Sequence, residues 1–300
     1  MEIFRSRGVA VRCLVHTPSK EKALPQTGVD IHYGSINDRD ALQAAICDVD
    51  TVVHLVATIR ESRNSTFIAT NYRGTENVVE AARETGVKHF IQLSTIGAAD
   101  APRYRYLHSK WLGEQAVINS GIPYTIIRPS LQFGEGDEFI NSLAALVKAF
   151  PIVPVAGSGK NQFQPIAIMD TARCITDTVE REDLIGKTVE IGGPDTLTYN
   201  EIIDIVAKTR GLWRIRLPIP VGLMRPIVKL MEITLPRPIV TTEQLRTLPV
   251  PNITEPNSVH NTYGFEPRSL RNNIEYIKNI SLFDALRAIL GSMPTHMRPR

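Results

Sequence analysis

The chain begins with a segment that ends a helix and leads directly into a strand. Residues 7–15 (RGVAVRCLV) pass from arginine and glycine into an apolar run, which predicts a buried strand. No earlier strand and no glycine-rich turn stand before it. In nucleotide-binding α/β proteins, such a turn opens the first helix and cradles phosphate groups. The question is therefore which function a chain can retain without that first βα unit.

Strand-like runs alternate with helical patterns through the first half of the chain. This alternation predicts an α/β fold with a doubly wound parallel sheet. The predicted strands are Val9–Val15, Asp30–Tyr33, Thr51–Val56, His89–Ser94 and Thr125–Arg128. The clearest helix is Thr66–Thr85, closed by Gly86 as a C-terminal cap. Its predicted buried stripe consists of Ile68, Asn71, Thr75, Val78, Val79 and Ala82.

The sequence pattern changes beyond about Pro151, where frequent proline and glycine residues separate shorter predicted elements. We therefore expect a core domain over residues 1–150 and a smaller, irregular substrate or partner region over 151–300, with 160–195 returning to the core. Between Ile205 and Val240 the sequence carries seven basic residues and one acidic residue, interleaved with apolar residues. The segment 217–240 could be a substrate lid, a membrane-surface patch or a docking face, and a solvated helix with a core-facing stripe is the plainer interpretation.

Charge and cysteine content exclude several classes of function. The net charge is only +3, from 34 basic and 31 acidic residues, so no nucleic-acid partner is expected. Cys13, Cys47 and Cys174 are scattered through apolar runs, which predicts buried free thiols and no metal site. No apolar run is long enough to cross a bilayer. We expect a cytoplasmic protein, peripheral to a membrane if segment 217–240 docks there.

Tyr106 and Lys110 are the candidate catalytic residues. Their i, i+4 spacing places a phenol and an ammonium on one helix face, one turn apart. A nearby ammonium favours tyrosinate, so we expect a lowered phenol pKa suited to acid–base work. The spacing by itself is more typical of a surface pair, and its position between two predicted strands strengthens the catalytic interpretation.

Several ordered motifs together resemble the short-chain dehydrogenase/reductase superfamily, in its extended or atypical branch. The resemblance covers roughly residues 7 to 270. It rests on VHLVA at 53–57, NYRGTENVV at 71–79, QLST at 92–95, the Tyr106 and Lys110 pair, RPS at 128–130 and IAIMD at 166–170. Within the superfamily, SKWLGE at 109–114, FQP at 163–165 and EIGGP at 190–194 are most similar to bacterial relatives of the nucleotide-binding accessory subunit of respiratory complex I.

The resemblance implies a Rossmann-like sheet that binds NAD(P)(H) across the carboxyl ends of its strands. It places His16, Thr17 and Lys20 near the adenosine ribose or its phosphate, and Ser35 and Ile36 near adenine. Leu55, Val56 and Ala57 would lie beside the pyrophosphate and ribose. Lys110 would hold the nicotinamide ribose, Tyr106 would donate or accept the proton, and Pro129 would face the nicotinamide.

The sequence departs from the superfamily pattern in three places. The glycine-rich loop is missing, Ser35 replaces an acidic residue, and Ile96 falls where a serine or threonine assists the tyrosine. An isoleucine cannot hydrogen-bond a substrate oxygen, so we expect a reduced Tyr106–Lys110 dyad. Loss of a central first strand should expose both neighbouring strands and destabilise the chain. We therefore expect the natural protein to begin about twenty residues earlier, a helix-plus-strand length.

Three functions remain open at this point. The first is an accessory or assembly protein that binds NAD(P)(H) with little or no turnover, docked on a membrane-associated respiratory complex. The second is an active reductase, epimerase or dehydratase acting on a quinone-like, lipid or nucleotide-sugar substrate. The third is a truncated remnant that binds no nucleotide. The choice between NAD and NADP, the substrate and the oligomeric state are not fixed by the sequence.

Five other residues or motifs have predicted structural roles. We expect His54 to be a hydrogen-bonded core residue and Asn71 to tie its helix to a strand. Asp170 should cap a helix, and residues 157–160 (GSGK) should form a turn because they lack the spacing of a phosphate loop. Arg128 could equally brace the sheet edge or meet substrate.

Overall fold

The computed structural model describes residues 1–17, 28–62 and 65–297, which form two compact units. The first unit comprises Met1–Pro129 and Ala172–Glu190, and the second comprises Ser130–Thr171 and the residues from Ile191 onward. The chain passes into the second unit after Pro129, whereas the sequence predicts a boundary at residue 150. The segment that returns to the first unit begins at Ala172 and ends at Glu190.

The elements of the described residues follow the alternating order that the sequence predicted through the first half. In chain order they are α1 (Glu2–Ser6), β1 (Val11–Val15), β2 (Val29–Tyr33), α2 (Arg39–Ile46), β3 (Thr51–His54), a π-helix (Ile68–Arg73), α3 (Gly74–Glu84), β4 (His89–Leu93), α4 (Arg105–Ile118), β5 (Tyr124–Pro129), β6 (Gln132–Phe133), α5 (Phe139–Ala149), β7 (Ile152–Ala156), β8 (Gln162–Phe163), β9 (Ile166–Ala167), α6 (Ile168–Thr178), β10 (Lys187–Ile191), β11 (Leu197–Thr198), α7 (Tyr199–Thr209), β12 (Ile215–Ile219), α8 (Val221–Thr234), α9 (Thr242–Thr247), α10 (Ser258–Tyr263) and α11 (Leu282–Ile289).

Within the described residues, the strands of the first unit form two sheets. One sheet has the order β10-β5-β4-β3, in which β3 and β4 pair in parallel and β4 and β5 do the same. The other consists of β1 and β2, paired in parallel with Val11 opposite Val29. Among the residues that the structure describes, no ladder joins β1 to β3.

Burial is greatest on β4 and β5. Phe90 and Ile91 on β4 and Ile126 and Ile127 on β5 are fully buried. Strands that are apolar on both faces are typical of a parallel sheet covered by helices on each side. In contrast, four of the five residues of β1 are only half-buried. The core of this unit therefore lies around β4 and β5 and the helices packed on them, with Leu42, Val78, Ala82 and Val117 among its members.

The predicted helix Thr66–Thr85 is present in two pieces. Its first turns are the π-helix and the rest is α3, followed by Gly86 with a φ of +76°. That left-handed conformation is the one expected of a glycine that ends a helix. The predicted stripe is buried except at Ile68, which is exposed. The wider turn of the π-helix changes the facing of residues, so a strict 3.6-residue period misplaces its first member.

The second unit contains short paired strands and a helical core. β7 and β12 pair in parallel, β6 and β9 do the same, and β8 and β11 are antiparallel. Its buried cluster combines α5, α7 and α11 with the short helical turns near the C-terminus, including Ile140, Leu143, Ile202, Val206, Ile277 and Ala285. The irregular texture expected of the second half is therefore found, and it surrounds a substantial apolar core.

In segment 217–240 the structure differs from the expected solvated helix with a core-facing apolar stripe. α8 has Val228 as its buried residue, while Leu223, Ile227, Leu230 and Ile233 are exposed. The apolar stripe therefore faces outward. Among the described residues, no helix combines the length and apolarity needed to cross a bilayer.

Two other structural predictions need correction. Cys174 is buried and Cys13 is half-buried, but Cys47 is exposed at the end of α2. Asp170 does not cap α6; it lies within the first turn and accepts a hydrogen bond from the Arg268 backbone N–H at 2.6 Å. The predicted turn at 157–160 is confirmed, with Gly157 and Gly159 both in left-handed conformations.

Candidate functional site

Residues that follow parallel strands of the first unit form the candidate binding edge. His16 and Thr17 follow β1 and are exposed. The predicted strand Thr51–Val56 is shorter in the structure, because β3 stops at His54, and Leu55, Val56 and Ala57 are all exposed. Solvent-exposed apolar side chains at the end of a strand form a surface against which the planar and sugar parts of a ligand can pack. Lys20 lies outside the described residues.

The residues after β2 divide between surface and core. Ser35 is half-buried, and its hydroxyl accepts a hydrogen bond from the Asn37 backbone N–H at 3.2 Å. The Ile36 side chain packs against Gly74 so closely that no Cβ atom would fit there. Its carbonyl accepts from the Asn77 amide at 3.0 Å. The Ile36 side chain is therefore directed onto α3.

The Tyr106 phenol is hydrogen-bonded by the Thr95 hydroxyl. The sequence predicts the assisting position at Ile96, which is buried, and Thr95 is the neighbouring residue whose hydroxyl interacts with the phenol. Sequence reasoning misplaced the position by one residue, although Ser94 and Thr95 together marked a hydroxyl pair at the end of β4. The described residues therefore place a hydroxyl beside the phenol, and the Lys110 ammonium lies one turn farther along the same helix.

Burial sets the acidity of Tyr106. It raises the pKa of the phenol to about 12, and the hydrogen bond from Thr95 offsets only part of that rise. The Phe67 ring lies edge-on at 5.6 Å and contributes to the apolar surroundings. The expected lowering of the phenol pKa by Lys110 is therefore wrong, because desolvation of the phenolate is the larger effect.

Lys110 lies one turn along α4 and is only 2% exposed. Its ammonium donates a hydrogen bond of 2.7 Å to the Leu93 carbonyl at the end of β4. Burial lowers the Lys110 pKa to about 8, while the Glu114 carboxylate acts in the opposite direction. Near neutral pH the side chain therefore remains mostly cationic, and it is held against the strand end.

Buried polar side chains surround Lys110. His54 is buried, and its Nε2 lies 3.2 Å from the Thr75 hydroxyl, so the predicted core histidine is confirmed. Burial, and next the Lys110 charge, lower the His54 pKa to about 3. His54 is therefore neutral at physiological pH.

Asn71 links the π-helix to the loop that follows β3. Its amide oxygen accepts from the Thr58 backbone N–H at 2.7 Å, and its amide nitrogen donates to the Thr58 carbonyl at 3.0 Å. The same nitrogen donates to the Ser109 hydroxyl at 3.0 Å. The expected backbone tie is thus present, although it reaches a loop and not a strand. It fixes the segment that carries Leu55–Ala57 relative to α4.

Glu114 is a residue that sequence reasoning did not single out. It is 1% exposed and receives two hydrogen bonds from Arg128, at 2.9 and 2.6 Å. Arg128 also lies 3.5 Å from Glu190 on β10. Arg128 therefore braces helix and sheet, the first of its two predicted roles. The sequence signal that could have identified Glu114 is its position one helical turn after Lys110.

The end of β4 also contains unpaired polar atoms. Ser94 Oγ and Gln92 Oε1 are buried, and nothing in the described part of the chain hydrogen-bonds them. Pro129, at the end of β5, is buried and accepts from the Ile96 backbone N–H at 3.1 Å. The buried, unpaired Ser94 hydroxyl and the exposed apolar residues 55–57 together suit a ligand with both polar and apolar parts. The residues present therefore fit the sugar and base portions of a dinucleotide.

Comparison with known proteins shows which proteins the first unit resembles. Residues 1–138 match a family model described as NAD(P)H-binding. Over this region the chain is similar to NAD(P)H-binding proteins, and its fold is Rossmann-like. A curated relative, NADH dehydrogenase [ubiquinone] 1 alpha subcomplex subunit 9 of Arabidopsis thaliana, is 31% identical over 62% of this chain and 47% of its own length. The chain thus spans about half the length of that relative.

Solved structures confirm the Rossmann-like fold class. An NADPH-dependent quinone oxidoreductase from Escherichia coli, solved with NADPH, superposes with a TM-score of 0.74 at 17% identity, covering 91% of this chain and 93% of that one. A UDP-glucuronic acid 4-epimerase from Bacillus cereus, solved with UDP-glucuronic acid and NAD, gives a TM-score of 0.72 at 18% identity, with coverages of 93% and 94%.

Proposed function

We propose that this NAD(P)(H)-binding protein holds its dinucleotide chiefly as a structural or sensing ligand and turns it over slowly or not at all. The supporting observation is the state of Tyr106, whose pKa is raised to about 12 by burial. A general acid–base group acts best when its pKa lies near the working pH. Such a phenol is a poor base near neutrality, whereas a bound dinucleotide can still contribute to stability.

The proposed binding residues all belong to the first unit. Leu55, Val56 and Ala57 would lie beside the pyrophosphate and ribose, and Lys110 beside the nicotinamide ribose. His16, Thr17 and Ser35 would line the adenosine side, and Pro129 would face the nicotinamide. Bound dinucleotide would supply a hydride donor or acceptor, while the protein residues orient it.

We further propose that the protein is peripheral to a membrane and docks there, or on a membrane-bound respiratory complex, through segment 217–240. The names of curated relatives support this, because they are subunits of NADH dehydrogenase. The outward apolar stripe of α8 supports it independently. A cytoplasmic location is part of the same proposal.

An active NAD(P)-dependent reductase or epimerase is the second candidate. The hydrogen bond between Thr95 and Tyr106 favours it, because it supplies the hydroxyl that the sequence had placed at Ile96. This candidate requires bound ligands to bring the Tyr106 pKa down from about 12.

Binding and turnover measured on the same samples distinguish the two. Calorimetry with NADPH and NADH gives affinity, and loss of reduced nicotinamide absorbance with a short-chain quinone gives turnover. We expect binding, with turnover that Tyr106→Phe leaves unchanged. A fall of about 100-fold or more in that variant would select the enzyme. Failure to bind either dinucleotide would contradict both.

A pair of matched variants tests the binding edge. Val56 and Ile185 are 44% and 42% exposed, and Ile185 lies beside the amino end of β5, at the opposite sheet edge. We expect Val56→Asp to weaken NADPH binding by about tenfold or more, because the carboxylate repels the pyrophosphate. Ile185→Asp should bind as the parent does. Equal affinities in all three proteins would place the dinucleotide elsewhere.

A further inference from the structure

The second unit carries an extended apolar surface whose first part is the outer side of α8. Leu223, Ile227, Leu230 and Ile233 follow the spacing of one helical stripe and are all exposed, Ile233 by 74%. A helix on a globular protein normally turns such a stripe toward the core. α8 instead keeps Val228 on its inner side and presents the stripe to solvent.

The strand that leads into α8 carries further exposed apolar residues. Ile215 on β12 is in register with Ile152 on β7, and Leu217 is in register with Pro154. Registered residues on paired strands point to the same face, and Ile215, Ile152 and Leu217 are exposed there. Trp213, two residues before Ile215, is 79% exposed.

The third part is α11. Leu282, Phe283, Leu286 and Leu290 are exposed along it. Gly291, just beyond the helix, packs on the segment that leaves α8: a Cβ atom there would lie 3.0 Å from Pro236 Cδ and 3.1 Å from the Arg237 backbone nitrogen. The end of α11 therefore abuts the end of α8. We call the exposed apolar residues of β12, α8 and α11 the apolar face.

Exposed cations accompany the apolar face. Arg225 and Lys229 on α8 and Arg237 just after it are exposed, and no described residue forms an ion pair or hydrogen bond with their charged groups. The acid of α8, Glu232, is instead engaged by the Thr242 backbone N–H and hydroxyl, at 2.8 and 2.9 Å. The charge beside the stripe is therefore positive and available to an external anion.

We propose that the apolar face binds the surface of an anionic lipid bilayer, with Arg225, Lys229 and Arg237 at the headgroup phosphates. This deepens the proposed peripheral location and rests on it. Exposed aliphatic side chains with a tryptophan, flanked by unpaired cations, are what an interfacial helix needs for the acyl boundary and the charged headgroups. A protein partner would need matching acids, and is the alternative that the experiment tests.

Trp213 provides a direct reporter of the predicted contact. The sequence has two tryptophans, so Trp111→Phe leaves Trp213 as the single emitter. With vesicles of phosphatidylcholine containing about 30 mol% phosphatidylglycerol at low salt, we expect a blue shift and quenching by brominated lipid. Vesicles of phosphatidylcholine alone should produce much less of either. No shift with anionic vesicles would overturn the proposal in favour of protein docking.

Co-sedimentation with the same vesicles measures the two contributions separately. Leu230→Asp should reduce the bound fraction about tenfold or more, and Lys229→Gln about fivefold. Ile185→Asp and Arg39→Gln are the matched controls, since both residues are exposed in the first unit. Equal loss in variants and controls would also overturn the proposal. NADPH affinity measured on every variant separates this result from failure of dinucleotide binding.

Discussion

Glu114 illustrates how strongly the site depends on single buried charges. The Glu114→Gln variant keeps the shape but removes the charge that Arg128 contacts twice. We expect the free energy of unfolding to fall by about 2–3 kcal/mol, because Arg128 loses its main counter-charge while remaining largely buried. Urea unfolding monitored by circular dichroism measures the change.

The matched control is Glu76→Gln. Glu76 pairs with Arg73 at 2.7 Å, but both side chains are substantially exposed. Surface pairs of this kind contribute at most about 0.5 kcal/mol. A similar loss in both variants would mean that burial of Glu114 adds nothing.

His54 predicts a pH dependence with a definite sign. Its pKa is about 3 in the folded protein and 6.5 ordinarily. Below pH 6.5, His54 is therefore protonated in the unfolded chain but stays neutral in the folded protein. Stability from this residue is therefore full above pH 6.5 and falls as the pH drops toward 3. Between pH 7 and pH 5 the loss is about 2 kcal/mol.

The His54→Gln variant should lack that loss while an amide remains available to Thr75. Urea unfolding at both pH values gives the change for each protein, and the parent should lose more stability than the variant. His89, whose pKa burial also lowers, and Asp137, whose pKa burial raises to about 6, are common to both proteins. Parallel pH profiles would show that His54 does not titrate as the structure indicates.

At the scale of elements, the packing of α4 on the π-helix depends on Gly113. A Cβ atom at this position would lie 2.5 Å from the Asn71 carbonyl oxygen. Gly113→Ala would normally favour a helix, yet here it must push the two helices apart. We expect a loss of about 1–3 kcal/mol in thermal or urea unfolding. NADPH affinity should fall too, because Asn71 positions the loop after β3.

Gly222→Ala is the natural comparison. Gly222 lies in α8, and a Cβ atom there would meet nothing within 4 Å. Alanine should therefore be neutral or stabilising by up to about 1 kcal/mol. If Gly113→Ala were also stabilising, the close approach of α4 to the π-helix would be wrong.

Local sequence patterns predicted which helices and strands exist better than they predicted what surrounds each element. Alternation located β1 to β5, and the 3.6-residue period located the Thr66–Thr85 helix. The π-helix was not predictable, because its extra residue per turn is stabilised by contacts with Gly113 and Thr58 that are distant in sequence. Likewise the interleaved apolar residues of α8 indicated a helix, but whether the stripe faced a core or solvent depends on what the fold places beside it.

Across the whole molecule, the sequence predicts a list of candidate site positions but not their charge states. Tyr106 and Lys110 are candidates because of their spacing on one helix face. Their pKa values depend on how much water each side chain loses, which is set by Phe67, Leu93 and Glu114. Thr95 was missed for a related reason, since residues leaving a strand do not keep its alternation and a shift of one residue exchanges Thr95 with Ile96.

The two sheets of the first unit should differ in local stability. β4 and β5 contribute fully buried residues and each pairs on both edges, whereas β1 and β2 form a two-stranded sheet of half-buried residues. Two-stranded sheets are marginal unless other elements support them. Hydrogen exchange followed by mass spectrometry should therefore show peptides of β1 and β2 exchanging at least about 100-fold faster than those of β4 and β5. Saturating NADPH should slow exchange at residues 55–57, since ligand binding to the folded form opposes local opening. Equal protection of all four strands would mean that β1 and β2 open only when the entire unit unfolds, and that the sheet they form is supported as strongly as the core.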